Sequence, residues 1–438
     1  MITTAHRVVI IGGGFAGLSA AIALKDANVN VTLLDKRNFH LFQPLLYQIA
    51  TGSLSESEIA SPLRSVLAKH KNVTVYKTEV RQIDLQQQLI LTDTLQLEYD
   101  SLIVATGVTH NYYGNYQWAE HAPGLKSVED ALEIRQRIFM AFERAEKEAD
   151  LERRKAQMRF VIIGSGPTGV ELAGSLGELA HNTLKNDFRN IDPKHVEILL
   201  LEGFERILPS YSPKLSKIAT GNLTKLGVKV LTNTKVIDIQ KDHVAILADG
   251  IESQIAARTV LWAAGMQATP LTQNIAMQAG VELDRMGRIA VNPDLSVPGF
   301  ANLYVLGDIA SCKTAAGNLL PGIAPVAKQQ GSYIAGVIKN KLIGKLSSPF
   351  KYFDKGNMAV IGRNKAVAQI WKLEFSGYFA WIMWVFVHVW FLVGYDSKLG
   401  IMLRWAWNYW TDKRQARLIT LENSKRDNSA LAYKDKPR

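Results

Sequence analysis

The stretch "FVIIGSGPTGVELAGSL", from Phe160 to Leu176, follows the same plan as an earlier stretch, "RVVIIGGGFAGLSAAIAL", from Arg7 to Leu24. Each begins with a run of apolar residues, passes through a glycine-rich turn and continues with small and apolar residues. This order predicts a buried strand, a tight turn and a helix packed behind the strand. Because the unit occurs twice, we expect an α/β fold built from two similar halves.

The first glycine turn has the spacing that binds the pyrophosphate of a dinucleotide. Glycines at these positions let the backbone turn tightly, approach the phosphates and pack the helix against its strand. Asp35 closes the next strand, where a carboxylate can bind a ribose hydroxyl. A glycine-rich loop in an unrelated α/β sheet would not need this acid. The predicted contacts are Gly12, Gly14, Gly17 and Asp35.

The second glycine turn has the same context and an acid of its own. The segment "HNTLKNDFRNIDPKH" lengthens the connection, so Glu202 follows its turn later than Asp35 does. A carboxylate here would repel a 2′-phosphate and so favour NADH over NADPH, although Arg206 lies close enough to oppose that preference. The predicted contacts are Gly164, Gly166, Gly169 and Glu202. Two such turns predict one site for a flavin and one for a pyridine nucleotide that reduces it.

The order of the remaining segments predicts that one nucleotide domain is inserted in the other. "TVLWAAG" (259–265) matches "SLIVATG" (101–107) in character and place, and "ANLYVLGDIA" (301–310) completes the first pattern. Residues 73–93 alternate by two, which predicts antiparallel hairpin strands. Residues 127–157 predict a solvated surface helix between the domains. The predicted boundaries are 1–125 and 286–374 for the first Rossmann-like domain, 126–158 for the bridging helix, 159–285 for the second Rossmann-like domain, and 375–438 for C-terminal helices.

Composition narrows the chemistry and the partners. The net charge of +11 suggests an anionic partner: a membrane surface, nucleotide phosphates or nucleic acid. No nucleic-acid recognition motif accompanies the charge, so we expect no nucleic acid partner. A single cysteine, Cys312, excludes an internal disulfide or a redox-active cysteine pair within the sequence. "MITTAH" leads directly into the first strand, so we expect no signal or transit peptide. We also expect no metal site.

The motifs together resemble a known family over essentially the whole chain. "GGGFAG", "FQPLLYQIATG", "IVATG", "GSGPTGVELAG", "WAAG" and "VLGDIA" occur in the order found in flavoproteins with two dinucleotide-binding domains. Within that class, "FHLFQPLLYQIATG" (39–52) and "LPGIAPVAKQQG" (320–331) resemble type II NADH dehydrogenases, the non-pumping NADH:quinone oxidoreductases. The resemblance implies FAD at Gly12, Gly14, Gly17, Asp35, Thr106, Gly107, Gly307 and Asp308. It implies NADH at Gly164, Gly166, Gly169, Glu202 and Gly265.

The resemblance also implies where the electrons go. Relatives with disulfide-reductase chemistry carry a cysteine pair where this chain has "FQPLLY", so the flavin would reduce an external acceptor directly. In the family, the stretch around 324–329 reads Ala-Gln-x-x-x-Gln and lines the quinone site. Pro325 replaces the first glutamine here and Gln329 matches the second, while a helix start with proline in its first turn is the structural alternative.

Two further residues have a functional and a structural interpretation. Glu171 matches an acid that family members carry near the contact between nicotinamide and flavin, where it would position groups or relay protons. The alternative is a carboxylate favoured by the dipole at a helix start. His388 would supply or bind protons near a reduced quinone. The alternative is a histidine that is simply hydrogen-bonded in a packed helix.

The C-terminal tail predicts contact with a membrane. Residues 375–395 contain no Asp, Glu, Lys or Arg, and a helix of that length could cross a hydrocarbon core of ~30 Å. Residues 396–438, however, carry ten Lys or Arg against five Asp or Glu, and a span would place this basic segment opposite the nucleotide-binding body. An interfacial helix fits better. Its predicted apolar face is Leu399, Met402, Leu403, Ala406, Tyr409 and Trp410, opposite Arg404, Asn408 and Gln415.

These observations predict an FAD-dependent, monotopic NADH:quinone oxidoreductase with its nucleotide-binding body on the cytoplasmic side. Its partners would be a quinone and the lipid surface. The aromatic tail could instead form a soluble dimer interface, so a homodimer stays open. Two other functions also stay open: a soluble NADH-dependent ferredoxin reductase, and a membrane-associated FAD- and NADH-binding signalling protein.

Overall fold

Two sheets carry the two glycine turns in a computed structural model that describes residues 5–411 and 413–419, and both are parallel except for one antiparallel edge strand, Ser296–Val297, in the first. The first sheet has six strands in the order Ser296–Val297, Phe300–Val305, Ser101–Val104, His6–Ile11, Val29–Asp35 and Val73–Lys77. The second has four strands in the order Val228–Leu231, Glu197–Leu201, Arg159–Ile163 and Thr259–Trp262. In both sheets the strand before the glycine turn has a parallel neighbour on each side. The turns therefore lie at the carboxyl ends of interior strands, where α/β sheets bind ligands.

The first sheet takes strands from both sides of the second in sequence. Phe300–Val305 pairs in parallel with Ser101–Val104, although the whole second sheet lies between them along the chain. The predicted α/β class, with one nucleotide domain inserted in the other, is confirmed. The residue boundaries of the domains stay a prediction.

Smaller sheets and helices surround this framework. The three-stranded sheets are Val80–Asp84 with Leu89–Thr92 and Gln96–Glu98, Thr234–Ile239 with His243–Ala248 and Ile251–Ala256, and Asn357–Gly362 with Lys365–Ile370 and Leu373–Ser376. The strand pairs are Phe39–Leu41 with Ala60–Pro62, Val108–His110 with Met266–Ala268, and Ile289–Ala290 with Ala310–Ser311. The α-helices are Phe15–Ala23, Leu46–Ala50, Glu56–Ile59, Leu63–Val66, Val128–Lys147, Leu151–Gln157, Pro167–Glu178, Pro213–Thr224, Pro270–Ala279, Ala324–Leu342, Gly377–Phe391 and Tyr395–Thr411.

Two expectations about local structure were wrong in part. Val73–Lys77 does not join a hairpin; it is the parallel edge strand of the first sheet, and the hairpin begins at Val80. The charged stretch 127–157 is not a solvated single helix. It forms two helices, and the longer one, Val128–Lys147, buries a full apolar face including Ile134, Ile138 and Phe142. The apolar residues of this helix recur at helical spacing and pack into the core. The many charged residues between them led to the prediction of a solvated helix.

The C-terminal helices, Gly377–Phe391 and Tyr395–Thr411, form an antiparallel hairpin against the body. Trp381 faces Tyr409 with ring centroids 5.6 Å apart, and Trp384 faces Trp405 at 5.3 Å. Within residues 5–411 and 413–419, no helix combines the length and hydropathy needed to cross a bilayer. The part of the predicted 375–438 region that follows residue 419, and residue 412, lie outside the described residues.

The outer side of this hairpin is apolar and exposed. We call it the apolar stripe; its members are Tyr378, Phe379, Ile382, Phe386, Trp390, Leu399, Met402, Leu403, Trp407 and Trp410. The predicted polar face turns inward, since Arg404 pairs with Glu58 and Asn408 donates to the Ser53 carbonyl. Tyr409 was wrongly placed on the apolar face: it packs against the body under Arg363. Gln415 follows the end of the helix at Thr411 and so belongs to neither face.

Candidate functional site

The first glycine turn is shaped by backbone contacts that exclude any side chain. Gly12 has φ +103°, and a Cβ there would lie 2.3 Å from the Ala105 carbonyl oxygen. A Cβ on Gly17 would lie 1.9 Å from the Gly12 carbonyl oxygen, so the helix can pack on its strand only through glycine. At Gly14, by contrast, none of the described atoms comes within 4 Å of the Cβ position. The turn is therefore closed behind and open in front, where a pyrophosphate would bind.

Asp35 braces this turn from the neighbouring strand. One carboxylate oxygen accepts a hydrogen bond from the Gly13 N–H at 2.6 Å, and the other accepts from the Arg37 N–H at 2.6 Å. Burial raises the pKa of Asp35 above its usual range, although both N–H donors oppose that shift. The acid thus fixes the turn and the following loop while it borders the open side.

A cleft of about 620 Å³ opens in front of the turn. It is lined by Gly12, Gly14, Asp35, Thr106, Gly107, Gly307 and Asp308, seven of the eight residues predicted for FAD; the eighth, Gly17, packs behind the turn. Gln330 secures the far wall, since its side-chain oxygen accepts from the Gly307 N–H at 2.7 Å. The volume, the glycine-formed cradle and the carboxylate beside it fit an elongated dinucleotide such as FAD.

Several cleft residues were missed by sequence reasoning. Lys126, His110 and Asp130 line the same space. Burial lowers the pKa of Lys126 and raises that of Asp308, and the attraction between the two charges opposes both shifts. His110 lies 3.1 Å from Asp130. No local motif marks these residues, because they come from a strand end, a bend and a helix start that only the tertiary fold brings to the cleft.

The second glycine turn repeats the first. Gly164 has φ +97°, and a Cβ on Gly169 would lie 1.9 Å from the Gly164 carbonyl oxygen. The Cβ position of Gly166 is open in the described structure, with nothing within 4 Å. Gly265, with φ +64°, sits against the Asn111 carbonyl, where a Cβ would be 2.5 Å from the oxygen.

Glu202 braces the second turn as Asp35 braces the first. One oxygen accepts from the Ser165 N–H at 3.0 Å and from the Ser165 hydroxyl, and the other accepts from the Phe204 N–H at 3.1 Å. Arg206, the residue that could oppose a preference for NADH, donates instead to nearby carbonyls, including Tyr211 at 2.7 Å and Pro209 at 2.8 Å. Its guanidinium is therefore held by its own loop.

Glu171 is a buried carboxyl on the helix that follows the second turn. It is only 9% exposed, and burial raises its pKa to about 8, with a weak opposing hydrogen bond from the Val360 N–H at 3.4 Å. It borders a cavity of about 140 Å³ between the body and the hairpin, together with Tyr47, Gln48 and Trp384. Burial therefore favours the protonated form of Glu171, whereas a helix dipole would favour the ionised form.

His388 and Gln329 have different partners in the structure. His388 is buried, stacks on Trp384 with centroids 4.2 Å apart and places Nδ1 2.8 Å from the Trp384 carbonyl oxygen. Burial lowers its pKa to about 4. It therefore adjoins the cavity of Glu171 through Trp384.

Gln329 does not line that cavity: its amide donates to the Phe353 carbonyl and accepts from the Phe353 N–H, both at 2.9 Å. Pro325 lies in the first turn of helix Ala324–Leu342, as the structural alternative predicted.

Two braced glycine turns in nested α/β domains define an oxidoreductase that binds two dinucleotides. Residues 6–331 match the family model described as pyridine nucleotide-disulphide oxidoreductase. Solved structures with the same fold include NDH2 from Plasmodium falciparum in complex with NADH, at TM-score 0.86 and 21% identity over 95% of this chain and 100% of that one. The sulfide:quinone oxidoreductase of Aquifex aeolicus matches at TM-score 0.72 and 18% identity, over 90% and 92%.

Sequence relatives narrow the class further. The chain is 44% identical to the type II NADH:quinone oxidoreductase Ndh of Mycobacterium tuberculosis, over 95% of this chain and 90% of the relative. It is 28% identical to a type II NADH:quinone oxidoreductase of Staphylococcus aureus, over 85% and 91%. The chain belongs to the type II NADH:quinone oxidoreductases, as its motifs indicated.

Proposed function

We propose that this chain oxidises NADH and passes two electrons through FAD to a membrane quinone, without pumping protons. The observation that carries the proposal is the pair of glycine turns, each with an open front and a carboxylate brace. The first turn and its cleft would hold FAD, which accepts a hydride from NADH and delivers electrons to a quinone when bound. The second turn would hold NADH through Gly164, Gly166, Gly169, Glu202 and Gly265.

The residues around the second turn support a preference for NADH. In this proposal the Glu202 carboxylate beside the turn would accept from an adenosine 2′-hydroxyl and repel a 2′-phosphate. Arg206, the nearby cation, is engaged by carbonyl oxygens of its own loop.

Near the bound quinone, which accepts the electrons, Glu171 and His388 would take part in proton transfer. Glu171 holds a proton at neutral pH because burial raises its pKa to about 8. His388 is neutral near pH 7, because burial lowers its pKa to about 4, so it would take part through hydrogen bonding and would hold a proton only briefly. Gln329 would orient the quinone, which requires it to exchange one of its two hydrogen bonds to Phe353.

The hairpin would lie in the membrane interface, with the apolar stripe toward lipid and the nucleotide-binding body on the cytoplasmic side. Exposed tryptophans and leucines outward and paired polar residues inward favour this orientation. Domains would divide at residues 125, 158, 285 and 374.

The direct test is turnover by the purified, FAD-containing chain with NADH and a panel of quinones, with and without lipid vesicles. We expect quinone-dependent oxidation of NADH that rises when vesicles are present. Efficient reduction of a ferredoxin with no response to quinones would favour the soluble reductase instead. Nucleotide binding without turnover would favour a signalling protein.

A further inference from the structure

Three lysines converge where the first hairpin helix ends. The ammonium nitrogens of Lys328 and Lys355 lie 4.7 and 5.1 Å from the centre of the Phe391 ring. The ammonium of Lys398 donates to the Trp390 carbonyl at 3.0 Å and lies 5.9 Å from the Trp390 ring. Lys328 comes from helix Ala324–Leu342, Lys355 from the loop before strand Asn357–Gly362, and Lys398 from the second hairpin helix. Three distant segments thus bring their charges to one point.

The described residues supply this lysine cluster with no acidic partner. None of the three ammonium groups lies within 4.0 Å of a described carboxylate oxygen. Asp354, next to Lys355 in sequence, accepts instead from the Gly356 N–H at 2.8 Å. The pKa of Lys328 is lowered first by burial and then by the charges of Lys355 and Lys398. Like charges held together without an anion destabilise one another, and a bound anion would relieve that repulsion.

The lysine cluster lies at the border of the apolar stripe. The stripe ends at Trp390, 67% exposed, and Lys398 bonds to that residue's own carbonyl. The turn between the two hairpin helices is held in place, since the Ser61 hydroxyl donates to the Val393 carbonyl at 3.2 Å. When an apolar surface lies in the interface, its edge meets the phosphates of the headgroup layer. Aromatic residues next to lysines are typical of that level.

We propose that Lys328, Lys355 and Lys398 form a binding site for the phosphate of an anionic phospholipid, and this rests on the proposed membrane docking of the hairpin. The site fixes how the enzyme sits on the surface, because its three lysines belong to the body as well as to the hairpin. Neutral lipid meets only the apolar stripe, whereas anionic lipid meets the stripe and the lysine cluster.

The test is cosedimentation of the FAD-loaded chain with two kinds of vesicle, one of phosphatidylcholine alone and one containing phosphatidylglycerol. We expect the parent chain to bind both, and the anionic vesicles more tightly. Replacing all three lysines by glutamine should remove roughly 100-fold of the added affinity, about fivefold for each lysine. The same three positions changed to arginine should keep it. Binding to neutral vesicles should be unchanged in both variants.

The matched control replaces three exposed lysines elsewhere, Lys217, Lys241 and Lys345, by glutamine, with the same change in net charge. This variant should keep most of the preference for anionic vesicles. An equal loss in both triple variants would make the attraction a property of net charge and overturn the site. Release by inorganic phosphate at constant ionic strength would make free phosphate the ligand and overturn the lipid assignment. Failure of the parent to bind neutral vesicles would instead count against membrane docking itself.

Discussion

The two glycine turns use one backbone device in two surroundings. In both, a carboxylate from the next strand accepts from the N–H that follows the first glycine and from the N–H two residues beyond the acid. The third glycine of each turn approaches the first glycine's carbonyl so closely that a Cβ would lie 1.9 Å from the oxygen. This shared geometry explains why both turns suit a pyrophosphate.

The differences lie in what surrounds each turn. Gly13 of the first turn is replaced by Ser165 in the second, whose hydroxyl adds a hydrogen bond to the brace. Five residues after the second glycine, the first helix carries Ser19 and the second carries the buried Glu171. The backbone therefore determines that a dinucleotide binds, while the side chains beside the turn determine which dinucleotide and what proton chemistry accompanies it.

The largest expected effect separates the two turns by function. Gly17→Ala and Gly169→Ala each force a methyl group against a backbone oxygen; relieving the clash costs roughly 3 kcal/mol of stability and shifts the turn from the geometry that binds a pyrophosphate. We expect Gly17→Ala to purify without flavin. Gly169→Ala should retain flavin but lose its reduction by NADH. Visible absorbance of the purified protein and anaerobic addition of NADH measure the two outcomes.

Gly14→Ala and Gly166→Ala are the matched controls, because their Cβ positions meet none of the described atoms. Both should fold normally, by circular dichroism, and weaken only the ligand of their own turn. Loss of flavin in Gly169→Ala with an otherwise folded chain would contradict the division of roles between the turns.

Much of this comparison was predictable from the sequence, because strand, turn and helix are local and repeat with fixed spacing. The carboxylate braces follow from the same repeat. It was harder to predict that the long helix Val128–Lys147 buries one face in the core, because nearly every turn of this helix also carries a charged residue. Lys126 and the lysine cluster could not be found at all, because their partners are separated along the chain and only packing brings them together.

The second expected effect concerns the acid of the second turn. Glu202→Ala removes a charge-assisted hydrogen bond worth about 1.5–3 kcal/mol and the charge that repels a 2′-phosphate. We expect kcat/KM for NADH to fall by about 10- to 100-fold, and the gap between NADH and NADPH to narrow. Steady-state kinetics with both nucleotides measure this, and Glu205→Ala, an exposed neighbour, should change neither value. Equal use of NADPH by the parent chain would sink the assignment.

The third expected effect concerns Glu171, a buried carboxyl whose counterpart after the first turn is Ser19. Its folded pKa of about 8 lies above the value of about 4.3 in an unfolded chain, so its stabilisation is complete below pH ~4.3 and is lost as pH rises to 8. His388 acts in the opposite sense, since its folded pKa of about 4 lies below an unfolded value of about 6.5, and its stabilisation is lost as pH falls from 6.5 to 4.

Between pH ~6.5 and 8, therefore, Glu171 titrates without interference from His388. Glu171→Gln should flatten the decline in unfolding free energy there by about 2 kcal/mol, following ~1.4 kcal/mol for each pH unit. Denaturant unfolding at a series of pH values measures it, with Glu205→Gln as an exposed control. A decline as steep in Glu171→Gln as in the parent would place the titrating group elsewhere.

The smallest expected effect tests whether reoxidation of the flavin by quinone can be changed without changing its reduction by NADH at the second turn. Gln329→Ala and His388→Phe should each slow reoxidation of the flavin by quinone about fivefold, since a hydrogen bond to a neutral partner contributes ~1 kcal/mol net. Neither should alter reduction of the flavin by NADH, because neither side chain has a described hydrogen bond to Glu202 or to the second glycine turn. Stopped-flow measurement separates the two half-reactions, and Gln87→Ala, in an exposed hairpin turn, is the control.

Because Gln329 binds the backbone of Phe353, a change in thermal stability without any change in reoxidation would assign it a purely structural role. Reoxidation at the parent rate in both variants would place the quinone away from both residues.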